Sequence, residues 1–176
     1  METEHIILDN FKHESNSDIE PLATINLTKF IILSIVSFGL YELWWIYKSW
    51  RFFKQKEKLD IMPAARAIFS IFFLNSLFNK ILHFAASKGY EKSYSSTPLV
   101  VGFFIINTAS KLPQPYWVIS GLSFLFLIPP FQALNFAFKN STDFETNEQV
   151  YFNYRQIILL LVGLALWSLV IYAMTL

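Results

Sequence analysis

Long apolar blocks separated by short polar interruptions organise this chain, and no sparse helical or alternating period runs through it. The first block, Phe30 to Tyr47, has 18 residues bounded by Lys29 and Lys48 and is interrupted only by Glu42. As a helix it is about 27 Å long, close to the hydrocarbon thickness of a bilayer, which predicts a membrane segment over about 28–50. Asp60-Ile61-Met62-Pro63 then punctuates the chain, because Pro63 suits the first turn of a new helix and Asp60 can cap it. A second helix is expected over about 64–86. Its uncharged core between Arg66 and Lys80 is 13 residues, so it crosses only if both cations snorkel, and a re-entrant or surface-lying helix is the alternative. A short third segment, about 98–110, ends at the rigid corner Lys111-Leu112-Pro113-Gln114-Pro115. The fourth, about 116–138, contains Pro129 and Pro130, which must break or kink it because neither donates to the backbone ladder. The last, about 156–176, includes 20 residues without a charge from Ile157 onward.

The fold class these segments predict is all-α: a polytopic transmembrane helical bundle of four or five membrane helices over residues 27–176, behind a flexible acidic N-terminal tail, residues 1–26. Composition agrees. Charged residues make up 15% of the chain, against about a quarter in an average soluble domain. The tail carries six acids against Lys12 alone up to Pro21, the reverse of a secretory signal, so the first apolar segment is expected to stay as an anchor. The absence of cysteine excludes disulfides, thiolate nucleophiles and Cys-ligated metals. His5 and His13 lie in the acidic tail, where no predicted helix pairs them with a carboxylate at i, i+4, and no metal or other cofactor is expected. A net charge of +1 and the lack of a basic patch with interleaved turn signals argue against a nucleic-acid partner. No Gly-rich phosphate loop, GxSxG elbow or HExxH occurs, and no nucleophile is assembled with a base, so no catalytic residue is assigned.

Three groups of polar residues need an explanation. With Tyr47 as the membrane edge, Glu42 lies about five residues, roughly 7 Å, inside the hydrocarbon, where an unpaired carboxylate costs several kcal/mol or takes up a proton. Arg66 enters the second helix from the same side, which makes Glu42–Arg66 the expected intramembrane ion pair; a proton or ion relay at Glu42 is the alternative. Asn75, Asn79 and His83 fall at i, i+4 and i+8 on one helix face, a stripe expected to face other helices or a polar cavity rather than lipid. Gln132 and Asn135 follow the Pro pair and are expected to satisfy carbonyls freed by the break or to line the same cavity. Finally Trp44, Trp45, Tyr47 and Trp50 lead into Lys48, Arg51, Lys54, Lys56 and Lys58. An aromatic belt running into a basic cluster marks a cytoplasmic exit, so these cations set topology and can also hold anionic lipid. The Lys and Arg counts favour the basic linker inside and the N-terminus outside, although Lys80, Lys88 and Lys92 dilute that rule.

The stretch Ser37-Phe-Gly-Leu-Tyr-Glu-Leu-Trp-Trp-Ile-Tyr-Lys-Ser-Trp50, with its Gly-x-Tyr-x-x-x-Trp-x-Tyr-x-x-Trp pattern, resembles a family of small bacterial inner-membrane proteins of unknown function. So does Ile61-Met-Pro-Ala-Ala-Arg-Ala-Ile-Phe69, a Pro-x-x-Arg-Ala-x-Phe pattern in which Ala64-Ala65 stand where the family leads one to expect a bulky aromatic. Leu112-Pro-Gln-Pro-Tyr-Trp117 and Pro130-Phe-Gln-Ala-Leu-Asn135 are similar to further segments of such proteins. The resemblance implies a multi-pass protein of a bacterial inner membrane and carries no activity. Function is therefore expected to be non-enzymatic: an envelope scaffold or partner subunit, with the lipid bilayer and a membrane-protein partner or second copy as its surroundings. A small transporter or channel built on the polar stripe and the broken fourth helix is the alternative, and a membrane-embedded enzyme is a weaker third.

Overall fold

A computed structural model describes residues 22–142 and 146–175. Residues 1–21, which hold most of the predicted acidic tail, lie outside the described residues. The architecture is mostly helical and all-α, and two helices are long and apolar enough to cross a membrane, Tyr116–Lys139 and Tyr154–Met174. A short strand, β1 (Leu22–Thr24), precedes the first helix and pairs in parallel with β2 (Thr146–Glu148), Leu22 opposite Thr146 and Thr24 opposite Glu148. The end of the expected tail is thus part of the folded body.

The first apolar block is two helices, not one. α1 (Leu27–Val36) starts at Asn26, whose side chain accepts the Lys29 N–H at 2.8 Å, and stops at Ser37; α2 (Leu40–Glu57) restarts after Gly39. Phe38 and Gly39 both take positive φ, 52° and 82°. Glycine accepts that conformation freely, whereas a bulky residue is penalised by about 1–2 kcal/mol. Phe38 offsets it by stacking on Trp167 at 4.7 Å, a contact worth about 0.5–1.5 kcal/mol. The two helices fold back on each other: Phe30, near the start of α1, meets Tyr41 and Trp45 of α2 at ring distances of 6.2 and 5.9 Å. With 10 residues, α1 is about 15 Å long, half a bilayer core.

The second expected helix is also interrupted. α3 (Pro63–Ile68), with Pro63 at its first position, ends at Phe69, and α4 (Ser70–Ser87) begins there. α4 is amphipathic: Leu74, Leu77, Phe78, Ile81, Phe84 and Ala85 are buried, and the opposite face is exposed. Phe84 packs on Phe52 of α2 and on Phe138. α5 (Ser96–Thr108) packs against a long 3-10 helix, Tyr116–Leu127, which continues into α6 (Ile128–Lys139). The prolines account for the last turn of the 3-10 helix. Pro129 and Pro130 cannot donate to the Leu125 and Phe126 carbonyls, and the Ile128 N–H turns back to Leu125 O, three residues away.

α7 (Tyr154–Thr175) runs beside α1 in the same direction. Lys29 reaches the loop before α7, while Ile35 and Val36 meet Trp167 and Gly163 farther along it. A Cβ on Gly163 would lie 2.2 Å from the Val36 carbonyl oxygen, so the helices touch backbone to backbone. Gly163→Ala is expected to lower unfolding stability in detergent by about 1–3 kcal/mol, as overpacking does. Gly121→Ala, where an added Cβ meets nothing within 4 Å, serves as the reference and is expected to be unaffected. Equal stability of the two variants would show that the close crossing is not required.

Candidate functional site

Two neighbouring features are built where α1, α2 and α7 meet: the helix break and, above it, a cavity. At the break, the last carbonyls of α1 take their donors from the turn and from its neighbours. Leu33 O accepts from Ser37 N–H at 3.0 Å, Ser34 O from Gly39 N–H at 2.9 Å, and Ile35 O from Phe38 N–H at 3.3 Å and also from the indole N–H of Trp167 at 3.1 Å. On the far side of the turn, Ser37 Oγ accepts the Tyr41 N–H at 2.9 Å and so caps α2.

Glu42, 3% exposed, sits in the first turn of α2, where the helix dipole favours a negative charge. Both carboxylate oxygens lie 3.1 Å from Ser123 Oγ on the 3-10 helix. The hydroxyl has one proton and donates to one oxygen at a time. The expected pair with Arg66 is not what the structure brings together. The Arg66 guanidinium instead lies over two rings, 4.5 Å from Trp50 and 4.9 Å from Phe73. The reason is the interruption at both corners. With α2 starting at Gly39, Glu42 belongs to a helix N-terminus facing Ser123, and α3 turns Arg66 onto the buried Trp50.

Above the break, a cavity of about 460 Å³ opens between α2, α6 and the start of α7. One wall is the Leu40, Trp44, Lys48 stripe of α2, at i, i+4 and i+8; the opposite wall carries Arg155 and Leu159. Its polar end is held by a reciprocal capping box at the start of α7. Asn153 Oδ1 accepts the Gln156 N–H at 2.9 Å, and Gln156 Oε1 accepts the Asn153 N–H at 3.1 Å. Gln149 Nε2 donates to the same Gln156 oxygen at 3.0 Å. Lys29, buried in the first turn of α1, holds the adjoining loop by donating to Gln149 O and Val150 O at 2.6 and 2.5 Å.

Of the residues expected to line a polar cavity, Asn135 does so, and its amide also donates to Ile25 O at 2.8 Å. Gln132 is exposed and away from it. Asn75, Asn79 and His83 form the outer face of α4, exposed and not on this cavity. Asn79 accepts from Ser96 Oγ at 2.7 Å and Asn75 from Thr97 Oγ1 at 3.4 Å, so two of the three receive the start of α5. Among the basic residues, Lys48 lines the cavity and lies 5.6 Å from the Trp44 ring centre, and Lys56 lies 4.6 Å from that of Phe84. Lys54 and Lys58 are exposed and Arg51 is half-buried.

Sequence reasoning missed Ser123, Trp167, Gly163 and Arg155. Asn153-x-x-Gln156 at the head of the last apolar block is a legible capping signal, and Ser37-Phe38-Gly39 a legible turn signal. Trp167 and Ser123 carry no local mark of their partners, more than 80 residues away in the chain. Among the described residues there is no group of three or more His, Asp or Glu that could hold a metal. Comparison with protein-family models, with curated proteins and with solved structures gives no match.

The contact between Glu42 and Ser123 predicts an asymmetric pair of double-mutant cycles. Ser123→Ala is expected to cost about 1–3 kcal/mol by leaving a buried acceptor unpaired, with coupling to Glu42→Gln above about 0.5 kcal/mol. The cycle between Glu42→Gln and Arg66→Gln is expected to show additivity. Strong coupling in the second cycle and none in the first would restore the ion pair.

Proposed function

We propose that this chain is a multi-pass protein of a bacterial inner membrane that acts as a non-enzymatic scaffold or partner subunit, with α7 as its outward-facing element. The observation that carries the reading is the exposure of α7. Its most apolar window has a mean hydropathy of 2.6 and is only 6% buried. Ile158, Leu161, Leu164, Leu169 and Ile171 are all exposed. A soluble protein does not leave a helix of about 33 Å apolar on nearly every side, whereas lipid or a partner helix covers it without cost.

In this placement the α1–α2 pair is a re-entrant hairpin that enters and leaves at one face, with Ser37–Gly39 at mid-depth. The Tyr116–Lys139 unit and α7 are crossings by length, and α5, about 20 Å alone, makes a third together with the 3-10 turn Ala109–Lys111 that extends it, three where four or five were expected. The charge distribution supports it. Among the described residues, every Lys and Arg other than Lys111 falls at the end where α2 and α6 leave and α7 starts. Lys111 marks the tip of the turn between α5 and the 3-10 helix, beside Tyr116 and Trp117. That asymmetry is what the positive-inside rule asks of a cytoplasmic face, and Lys80, Lys88 and Lys92 no longer dilute it. The exposed polar face of α4 then lies in water or among head groups at the same face. Its exposed apolar elbow, Met62, Ile68, Phe69, Ile71 and Phe72, dips into the interface.

A second reading, a small transporter or channel, has one observation in its favour. Helix termini at membrane depth, here the broken α1–α2 pair with a buried Glu42, are where transporters hold ions and solutes.

The lack of native cysteine suits single-cysteine tests. In inverted and right-side-out vesicles, an impermeant maleimide is expected to label Thr28→Cys, Lys54→Cys and Asn147→Cys from one face and Lys111→Cys from the other. A cysteine-directed photo-crosslinker on Leu164→Cys, in native membranes, is expected to yield one discrete protein adduct. Labelling of Thr28→Cys and Lys54→Cys from opposite faces would overturn the hairpin, and lipid adducts alone on α7 would overturn the partner-subunit role.

A further inference from the structure

We infer that Glu42 and Ser123 form a proton-binding site, in which the glutamate is held as the neutral acid and closes a two-bond ring with the serine hydroxyl. The inference rests on contacts inside the protein and not on the membrane placement above. Glu42 is 3% exposed, and both of its carboxyl oxygens lie at the same distance, 3.1 Å, from Ser123 Oγ. A carboxylate uses that geometry badly. Ser123 has one proton, so one oxygen of the anion would be bonded and the other left buried without a donor. The neutral acid uses it fully: its own O–H donates to Ser123 Oγ, and the serine O–H donates to the other oxygen.

The backbone around Glu42 has no donor to spare for an anion. A carboxylate at a helix start ordinarily accepts from the N–H groups of the first turn. Here those groups are spent within the turn: Leu40 N–H donates to Ser37 O at 3.1 Å, Tyr41 N–H to Ser37 Oγ at 2.9 Å and Glu42 N–H to Gly39 O at 3.0 Å. On its other side the carboxyl lies over Gly39, where an added Cβ would stand 3.8 Å from Glu42 Cδ, and the Gly39 N–H is itself given to Ser34 O at 2.9 Å. The helix dipole still favours the anion, but without a direct donor it weighs less than the loss of water around a buried charge.

No cation compensates the carboxyl either. Among the described residues Ser123 is the one side chain that bonds it. α1 beyond Lys29 carries no titratable residue, and the 3-10 helix carries only Tyr116, exposed at its start. Lys29 itself is held by Gln149 O and Val150 O, and Arg66 of α3 lies over Trp50 and Phe73. α4 turns Lys80 to Glu57, and α6 turns Lys139 to Glu148. α7 is uncharged beyond Arg155, which donates to Tyr154 Oη at 2.9 Å. On α2 itself the Tyr41 hydroxyl faces Gln156, and Lys48 lies beside the Trp44 ring. Loss of the proton therefore breaks one of two bonds and leaves a buried anion, which water or a cation entering between α2 and the 3-10 helix would have to relieve. The ligand of the site is a proton, and the contact it completes is the one that ties the α1–α2 hairpin to the 3-10 helix.

The test is infrared spectroscopy of the full chain at neutral pH in an ester-free detergent, where the C=O stretch of a protonated carboxyl stands apart from the carboxylate bands. One such band is expected, shifted in deuterated water. Glu42→Gln is expected to abolish it, and Ser123→Ala to move it to higher wavenumber, because the acid loses its hydrogen-bond partner. Glu57→Gln with Glu148→Gln, which removes two exposed, ion-paired carboxylates, is expected to leave the band unchanged. Glutamate carrying a heavy carbon isotope at its carboxyl is expected to shift the band in the unaltered chain, so the assignment does not depend on the folding of Glu42→Gln. Absence of a protonated-carboxyl band at neutral pH, a band that survives Glu42→Gln, or one indifferent to Ser123→Ala would overturn the site.

Discussion

The backbone groups freed where α1 stops at Ser37 are the constraint around which this molecule is arranged. A helix that ends inside a packed apolar body must find partners for its carbonyls, and the helix that restarts must find acceptors for its N–H groups. Here Ser37, Phe38 and Gly39 close the turn locally, and Trp167 adds a second donor to the Ile35 carbonyl from α7. That last bond requires α7 to lie against the end of α1, which only glycine at position 163 permits at this separation. Glu42 completes the arrangement at the N-terminus of α2 and ties the same corner to the 3-10 helix through Ser123. One broken helix thereby fixes the positions of two further elements.

Because the turn reverses the chain, the polar ends of α1 and α2 gather at one face with the start of α7 and the end of α6. Lys29 there meets carbonyl oxygens rather than a carboxylate, a compensation that suits a cation set in the unfavourable first turn of its own helix. The capping box of Asn153 and Gln156 and the β1–β2 pairing close the same end. The cavity sits at this junction because the walls come from separate helices whose separation is set at the break below. Beyond it, Phe52, Phe53, Phe84 and Phe138 fill the space between α2, α4 and α6 with aromatic contacts.

The helical class and the apolar character of the last block were legible in the sequence, because lipid-compatible blocks declare themselves by length and the absence of charge. The corner at Pro63 was legible for the same reason that proline fits a first turn. The break at Ser37–Gly39 was not, although Ser and Gly stand there. Length and hydropathy over Phe30 to Tyr47 are satisfied equally by one straight helix and by a hairpin, and tertiary partners decide between them. Glu42 was legible as a residue in need of a partner, yet not which one, since matched depth with Arg66 depends on the straight helix that the turn removes. Asn75, Asn79 and His83 were legible as one face. Whether that face turned inward depended on α4 packing its other side on Phe52 and Phe138, information held by distant residues.

The central claim, that α1 and α2 form a hairpin with its tip at mid-depth in the membrane, is tested most directly by a depth profile. Ile32, Phe38 and Trp44 are all exposed and carry spin labels without entering the core. Collision accessibility to oxygen and to a polar nickel chelate, in a reconstituted bilayer, is expected to place a label at position 38 deepest, with labels at 32 and 44 shallower by similar amounts. A depth that changes steadily in one direction from 32 through 38 to 44 would contradict the hairpin and restore a single straight span.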